Sequence, residues 1–426
     1  MRKMKESGIE WIGKCPSNWN MIPTKHLFQV VSGATPQADQ YENWDGDIIW
    51  ITPADFKTDD RNVSKGKRTL TQKGFNSCST TLIPAGSLIF SKRAPIGAVV
   101  VNSVDLCTNQ GCLSSIPYNS NLTCVRYFYY VMAVATDQYE LLGSGTTFKE
   151  ISATNFSNFV LPVPAYEEQQ QIATYLDTRC AQVDTLIANV QAQIEKLKAY
   201  KQSLITEVVT RGLDPSVPMK DSGVEWIGKI PAHWEITRIK NLFVLRNERN
   251  FKPLDEVNLI SLYTDLGVVQ HSELTETTGN RAVNADGYKL VYERDIVVNI
   301  ILCWMGAIGM SKYNGVTSPA YDVYKPKENV FSEYYHYLFR TKAFNGECYR
   351  YGRGIMMMRW RTYSTEFSAI SVPLPPEDEQ RTIVAYLDDR CRRVDQLIAI
   401  KQAKIDKLNE YKKSLIYEYV TGKKEA

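Results

Sequence analysis

An internal repeat limits what this chain can fold into more than any other feature of its sequence. The segment Lys5–Trp19, KESGIEWIGKCPSNW, recurs as KDSGVEWIGKIPAHW at Lys220–Trp234. A second block, Leu161–Asp177, recurs as Val372–Asp388, whereas the segments between the blocks show no comparable likeness. The repeating unit is far longer than a solenoid repeat, which has about 20–45 residues. The sequence therefore predicts a duplicated two-part module.

The second block continues into a heptad pattern. Apolar residues alternate in steps of four and three along Leu176–Val208 and again along Leu387–Tyr419. A period of about 3.5 residues that is sustained in this way is typical of a coiled-coil seam. Lys201 and Lys412 interrupt the two seams at the same place, where a charge can fix the register. The predicted seam residues are Leu176, Val183, Ile187, Ile194, Leu197, Leu204, Leu387, Val394, Ile398, Ile405, Leu408 and Leu415.

Because the two helices are copies of each other, the simplest arrangement pairs them antiparallel, with the variable segments at opposite ends. Amphipathic helices on a globular core are the alternative. The predicted fold class is α+β, with two mixed α/β domains of short curved sheets, separated by an antiparallel coiled coil and related by a pseudo-two-fold repeat. The predicted boundaries are 1–19 and 214–234 for the short repeats, 20–161 and 235–371 for the variable domains, and 162–213 and 372–426 for the helical repeats.

Basic residues cluster in both variable domains. The stretch from Arg340 to Arg361 mixes cations with aromatic residues and glycines, and Arg61–Lys73 is a second basic run without acids. Such patches suit phosphate contacts, and Asn or Gln can pair with adenine. For any single residue, a solvated surface position is an equally good interpretation. The candidate DNA-binding residues are Lys65, Lys67, Arg68, Lys92, Arg93, Asn109, Gln110, Thr147, Lys149, Arg340, Lys342, Arg350, Arg353, Arg359 and Arg361.

Composition points to a reduced compartment. The net charge is only +3, so nucleic-acid binding must come from local patches. The 9 cysteines include no CxxC motif and follow no signal peptide, which predicts free thiols in the cytoplasm. The apolar stretch Ile296–Met310 is short and contains Asn299, so a buried strand is expected there and no membrane contact.

Catalytic and metal-binding motifs are not recognised in the sequence. Gly8–Lys14 has phosphate-loop spacing, but Cys15 stands where a hydroxyl should bind magnesium, and the bulky residues inside the loop would block a phosphate. The histidines have no metal-ligand spacing. We therefore expect no catalytic residue, no metal and no cofactor in this chain.

Several segments together resemble one protein family. The two Gly-x-Glu-Trp-Ile-Gly-x-x-Pro-x-x-Trp segments, the stretch Pro373–Gln380 and the repeated Tyr-Leu-Asp are similar to specificity subunits of bacterial type I restriction–modification systems. Trp44–Asp55, Gly145–Lys149 and Ser318–Val323 resemble the target-recognition domains of that family. The likeness covers essentially the whole chain.

The resemblance implies a DNA-recognition subunit that performs no chemistry itself. Each variable domain would read one half of a split site, and the helices would set the spacer and dock two methyltransferase subunits. S-adenosylmethionine would bind those subunits, whereas ATP and Mg²⁺ would bind restriction/translocase subunits. Because the variable domains differ, the half-sites should differ too.

Two other functions stay open at the level of sequence. The chain could be a stand-alone DNA methyltransferase or nuclease whose motifs are not recognised. It could also be a coiled-coil scaffold that binds only proteins, although the basic stretch from Arg340 to Arg361 argues against that function.

Overall fold

The computed structural model describes residues 2–56, 61–93, 95–145, 149–273, 284–354 and 360–426. Its contacts divide the chain into unit 1, which comprises Met1–Val190 and Ala403–Ala426, and unit 2, which comprises Gln191–Gln402. The division runs through both long helices, so each unit holds a part of each helix. Among the described residues, no helix is both long enough and apolar enough to cross a membrane.

Short strands and a few helices make up the variable parts, and two long helices make up the repeats. The strands are β1 (Met4–Glu6), β2 (Lys14–Pro16), β3 (Asn20–Pro23), β4 (Phe28–Ser32), β5 (Trp44–Ile51), β6 (Asn62–Val63), β7 (Arg68–Leu70), β8 (Leu88–Lys92), β9 (Ile96–Asn102), β10 (Cys107–Thr108), β11 (Cys112–Pro117), β12 (Val160–Val163), β13 (Met219–Asp221), β14 (Lys229–Pro231), β15 (Glu235–Arg238), β16 (Phe243–Leu245), β17 (Ile260–Tyr263), β18 (Gly267–Gln270), β19 (Lys289–Val291), β20 (Ile296–Asn299), β21 (Ile308–Met310), β22 (Gly315–Thr317), β23 (Tyr321–Pro326) and β24 (Ser371–Leu374). The α-helices are α1 (Gln72–Asn76), α2 (Val125–Val134), α3 (Thr136–Leu141), α4 (Ala153–Asn158), α5 (Tyr166–Arg211), α6 (Ile239–Leu242), α7 (Ser332–Phe339), α8 (Lys342–Tyr351), α9 (Ser364–Ala369) and α10 (Glu377–Val420). Single 3₁₀ turns lie at Thr24–His26, Tyr41–Asn43, Pro53–Asp55, Leu254–Glu256, His271–Glu273 and Cys303–Met305.

The larger sheet of unit 1 has the strand order β4-β11-β8-β9-β6, and a smaller sheet has the order β10-β5-β7. Strand β8 is buried on both faces because alternate residues enter different cores. Phe90 contacts Tyr139 and Phe156, each at 4.7 Å between ring centroids. Its neighbour Ile89 packs instead with Ile51 and other aliphatic residues on the opposite side. The predicted short sheets are therefore found.

Unit 2 repeats this plan with a four-stranded antiparallel sheet in the order β16-β23-β20-β21. The expected buried strand in Ile296–Met310 is β20, all of whose residues are buried. Edge-to-face contacts link the first strand of each sheet to the following helix, Phe28 to Phe128 at 5.3 Å in unit 1 and Phe243 to Tyr335 at 5.5 Å in unit 2. The variable domains thus share an arrangement of sheet and helix, although their sequences show no comparable likeness.

Within each unit the long helices run antiparallel. In unit 1 the Tyr175 ring lies 4.4 Å from the Tyr419 ring, and Asp184 pairs with Lys412. In unit 2 Lys201 donates to Asp395 at 2.7 Å, and α10 contacts α5 about two turns further on through Lys401 and Gln193. The partner numbers fall on one helix as they rise on the other, so the predicted antiparallel coiled coil is confirmed. Each predicted seam residue is buried or half-buried.

The two short repeats close the ends of the helices, and we call each one a clasp. The clasp residues Trp19 and Trp234 are fully buried. Trp19 donates from Nε1 to Glu168 at 3.2 Å near the start of α5, and Trp234 donates to Glu379 at 2.8 Å near the start of α10. The strands that follow the clasps, β3 and β15, pair with β12 and β24, the proline-containing strands that lead into the helices. Pro162 and Pro373 therefore lie in strands ahead of the long helices.

Deleting a buried leucine from the helix pair should destabilise the unit that contains it. Leu176→Ala in unit 1 and Leu387→Ala in unit 2 each remove a fully buried side chain. Each change should lower the free energy of unfolding by about 2–5 kcal/mol, because packing is lost and a cavity remains. Denaturant titration followed by circular dichroism measures this. Leu186→Ala, at a largely exposed position of the same helix, is the control and should cost under about 0.5 kcal/mol. Equal effects at buried and exposed positions would contradict the assigned seam.

Candidate nucleic-acid interface

A tyrosine on each variable domain ties that domain to a long helix. The Tyr130 hydroxyl donates to Asp177 at 2.8 Å, and the Tyr337 hydroxyl donates to Asp388 at 2.6 Å. Burial is the main cause that raises the pKa of both phenols, so both remain protonated donors. A second tyrosine in each domain bonds a carbonyl at the end of a helix, Tyr127 to Val420 at 3.1 Å and Tyr334 to Val209 at 2.6 Å.

The sequence gives little sign of the role of these tyrosines. Only the aromatic runs Tyr127–Tyr130 and Tyr334–Tyr337 hint at them. Arg61 belongs to a basic run without acids in the sequence, but in the fold it donates to Asp177 at 2.7 Å, and Arg126 donates to the same carboxylate at 2.6 Å. Arg61 therefore positions its domain on α5, and its guanidinium is not free.

Residues far apart in sequence meet beside α3 in unit 1. The backbones of Ser144 and Glu150 exchange hydrogen bonds of 2.9 Å, and Ile151 N donates to Lys92 O at 3.0 Å. Glu150 pairs with Lys92 at 2.8 Å and with Arg93 at 3.6 Å. One carboxylate faces two cations, and Lys149, the residue before Glu150, is exposed. We call these residues, Lys92, Arg93, Lys149 and Glu150, the first loop base. The candidate Thr147 lies outside the described residues.

Unit 2 builds the same arrangement after α8. The backbones of Arg353 and Arg361 exchange hydrogen bonds of 2.9 and 3.1 Å, and Thr362 N donates to Ile300 O at 2.9 Å. We call Ile300, Arg353, Arg361 and Thr362 the second loop base. Both arginine side chains are exposed, although Arg353 pairs with Glu366 at 2.8 Å. The candidate Arg359 lies outside the described residues.

The other candidates of unit 1 lie near β5 and β7. Lys65, Lys67 and Arg68 are exposed, and the Arg68 guanidinium lies 3.4 Å from the centre of the Trp44 ring. The Asn109 side-chain oxygen accepts a hydrogen bond from Gly111 N at 2.9 Å, and the Gln110 side-chain oxygen accepts one from the Thr35 hydroxyl. The Asn109 oxygen is therefore already hydrogen-bonded within the protein, which limits how this side chain can pair with a base.

Three candidates of unit 2 differ in their freedom to bind DNA. The Arg340 guanidinium donates to the carbonyls of Ile308 at 3.0 Å, Thr264 at 3.3 Å and Asp265 at 2.6 Å. Burial lowers its pKa, although Asp265 opposes the shift. Arg350 pairs with Glu347 at 2.7 Å, whereas Lys342 is exposed. The structure thus gives Arg340 a structural role and leaves Lys342 available.

Metal chemistry finds no support in the part of the chain that the structure describes. No group of three or more His, Cys, Asp or Glu side chains there could hold a metal ion.

Two regions of the chain match the family described as the type I restriction modification DNA specificity domain, over residues 16–196 and 231–410. The type I restriction enzyme MjaIX specificity subunit of Methanocaldococcus jannaschii is 30% identical over 244 residues, which are 56% of this chain and 55% of that protein. The type I restriction enzyme EcoR124I/EcoR124II specificity subunit of Escherichia coli is 28% identical over 179 residues, 40% of this chain and 43% of that one. The matches thus span about half the length of these relatives.

Solved structures resemble the fold along nearly the whole chain. A chain solved in work on complex assembly and conformational transition of the type I R-M system has a TM-score of 0.70 at 13% identity, covering 95% of this chain and 98% of that chain. The HsdS subunit from Thermoanaerobacter tengcongensis has a TM-score of 0.50 at 15% identity, covering 96% and 98%. At such identities the likeness establishes the fold.

Replacing Arg340 should harm stability more than DNA affinity. Arg340→Gln leaves the carbonyl of the buried Ile308 short of a donor and releases the exposed carbonyls of Thr264 and Asp265, at an expected cost of about 1–3 kcal/mol. Thermal unfolding of the full chain measures this. Lys342→Gln, the exposed neighbour, is the matched control and should leave the unfolding midpoint unchanged. An Arg340→Gln chain of normal stability that has lost DNA affinity would contradict the structural role.

Proposed function

This chain belongs to the type I restriction–modification DNA specificity family, and from that premise we propose that it reads DNA for such a system. Each variable domain reads one half of a split, asymmetric site. The paired helices set the separation of the two halves and dock two methyltransferase subunits. The alternatives, a stand-alone enzyme or a protein-only scaffold, are not favoured by the family match.

The two loop bases are the observation that supports this function best. They share the same backbone hydrogen bonds but differ in their side chains. The first has Lys92 and Arg93 where the second has Ile300 and Ile301. Phosphate contacts position a protein on DNA, and side chains that differ read different bases. One frame with two unlike reading surfaces therefore suits a site with two unlike halves.

Exposed apolar side chains on the helices suit partner docking. Unit 1 exposes Leu186 by 49% and Tyr411 by 55%, and unit 2 exposes their repeat counterparts Leu397 by 47% and Tyr200 by 53%. Large apolar side chains left exposed at repeated positions mark an interaction surface. The repetition implies two copies of one partner, and we assign the two patches to two methyltransferase subunits.

The chemistry of the complex belongs to its partners in this proposal. The chain itself is non-catalytic, and it binds no cofactor and no metal. S-adenosylmethionine binds the methyltransferase subunits, whereas ATP and Mg²⁺ bind the restriction/translocase subunits. Because its substrate is chromosomal or invading DNA, the complex acts in the cytoplasm.

Neutralising the first loop base should weaken DNA binding through lost phosphate contacts. The double change Arg93→Gln and Lys149→Gln should lower affinity for every sequence, and it should reduce the slope of log affinity against log salt by about 2. Titration of the assembled complex with labelled DNA at several salt concentrations measures both effects. Lys14→Gln with Lys220→Gln, exposed lysines of the two clasps, is the matched control. An unchanged slope would count against a phosphate contact at this site.

Removing one apolar patch should cost the complex one partner. Leu186→Ala with Tyr411→Ala alters unit 1, and Leu397→Ala with Tyr200→Ala alters unit 2. Each pair should reduce the complex from two methyltransferase subunits to one, because each patch serves one copy. Mass measurement of the purified assembly distinguishes these states. Retention of two subunits in both variants would place the docking surface elsewhere.

A further inference from the structure

The two loop bases differ in a way that charge alone does not describe. Ile151 N donates to Lys92 O in unit 1, and Thr362 N donates to Ile300 O in unit 2, at 3.0 and 2.9 Å. This correspondence matches Lys92 and Arg93 with Ile300 and Ile301. Apolar side chains thus stand in unit 2 where unit 1 carries two cations.

Three aromatic rings lie next to this position in unit 2. Trp304 meets Tyr349 edge to face at 5.7 Å, and Tyr349 stacks on Trp360 at 5.0 Å with 22° between the ring planes. Tyr349 is still 44% exposed, and Met305 beside Trp304 is 51% exposed. We call Trp304, Met305, Tyr349 and Trp360 the aromatic shelf.

The backbone is shaped to hold the shelf at the surface. Trp360 Nε1 donates to Tyr349 O at 2.9 Å. A Cβ on Gly352 would lie 2.3 Å from that same Nε1, so only glycine leaves room for the indole. The backbones of Arg353 and Arg361 pair with each other, and this pairing positions the adjacent residues Gly354 and Trp360. A stack assembled in this way, yet exposed on one side, is suited to receive another flat ring.

The charges around the shelf favour a nucleic acid as the source of that ring. Arg350, Arg353 and Arg361 are exposed beside it, and among the residues that the structure describes only the first two have a carboxylate partner, Glu347 and Glu366. Aromatic and apolar side chains that enter DNA contact unstacked bases, while neighbouring arginines hold the phosphates.

We propose that the aromatic shelf takes a nucleobase of the bound DNA. Unit 2 contacts its half-site by stacking and apolar contact at a base step that opens on binding, whereas unit 1 relies on the cations of the first loop base. This inference rests on the proposed DNA-reading function and adds the kind of contact that unit 2 makes.

The test uses the full chain assembled with its methyltransferase subunits and DNA that carries its methylated site. Tyr349→Ala should lower affinity by about tenfold to a hundredfold, because one base–aromatic stack is lost. The salt dependence should stay unchanged, since no phosphate contact is removed. Tyr349→Phe keeps the ring and should bind like the wild type, which also controls for folding. Phe251→Ala, which removes another strongly exposed ring of unit 2, should have no effect.

Base opening has its own readout. 2-Aminopurine placed at successive positions of the unit 2 half-site, away from the methylated base, should brighten on binding to the wild type and stay dim with Tyr349→Ala. Wild-type affinity for Tyr349→Ala would overturn the proposal, as would loss of a methyltransferase subunit in place of DNA affinity. If the wild-type complex itself did not prefer its split site to unrelated DNA, the DNA-reading function would fail instead.

Discussion

The pairing of the two long helices is the interaction on which the rest of the structure depends. In each unit a stretch of α5 packs against a stretch of α10, with Leu176 and Leu415 buried in unit 1 and Leu387 and Ile205 buried in unit 2. The lysine–aspartate pairs between the helices admit one antiparallel register. Each variable domain is then fixed to that pair by a tyrosine–aspartate bond and by a tyrosine that bonds a helix-end carbonyl.

The two units repeat the same framework, but the surfaces that this framework carries differ between them. The clasps, the helix pair and the tyrosine bonds occur once in each unit with the same partners. The loop bases keep their backbone hydrogen bonds but exchange cations for apolar side chains. A frame that stays constant while its surface varies lets one assembly serve two unlike half-sites, because the partner surfaces are repeated and the reading surfaces are not.

Much of the frame could be predicted from the sequence because its signals are local and periodic. The heptads predict the seam, and the repeated blocks predict the duplicated module. The shared plan of the variable domains could not be predicted, since it rests on single aromatic contacts such as Phe28 with Phe128. The sequence also does not show which groups a basic residue will bind in the folded protein. Arg340 and Arg61 look like surface cations in sequence, but folding brings carbonyls to the first and Asp177 to the second. Of the candidate site, sequence predicted the basic stretches but not the meeting of Lys92 with Glu150.

Sequencing of methylated bases in cells that carry the system, before and after residues 235–371 are exchanged for the corresponding segment of a relative, tests the central claim most directly. The account predicts a split site with two unlike halves and a fixed spacer, and it predicts that the exchange changes one half only. A contiguous or palindromic site, or a change in both halves, would contradict the account of two independent reading surfaces on a repeated frame.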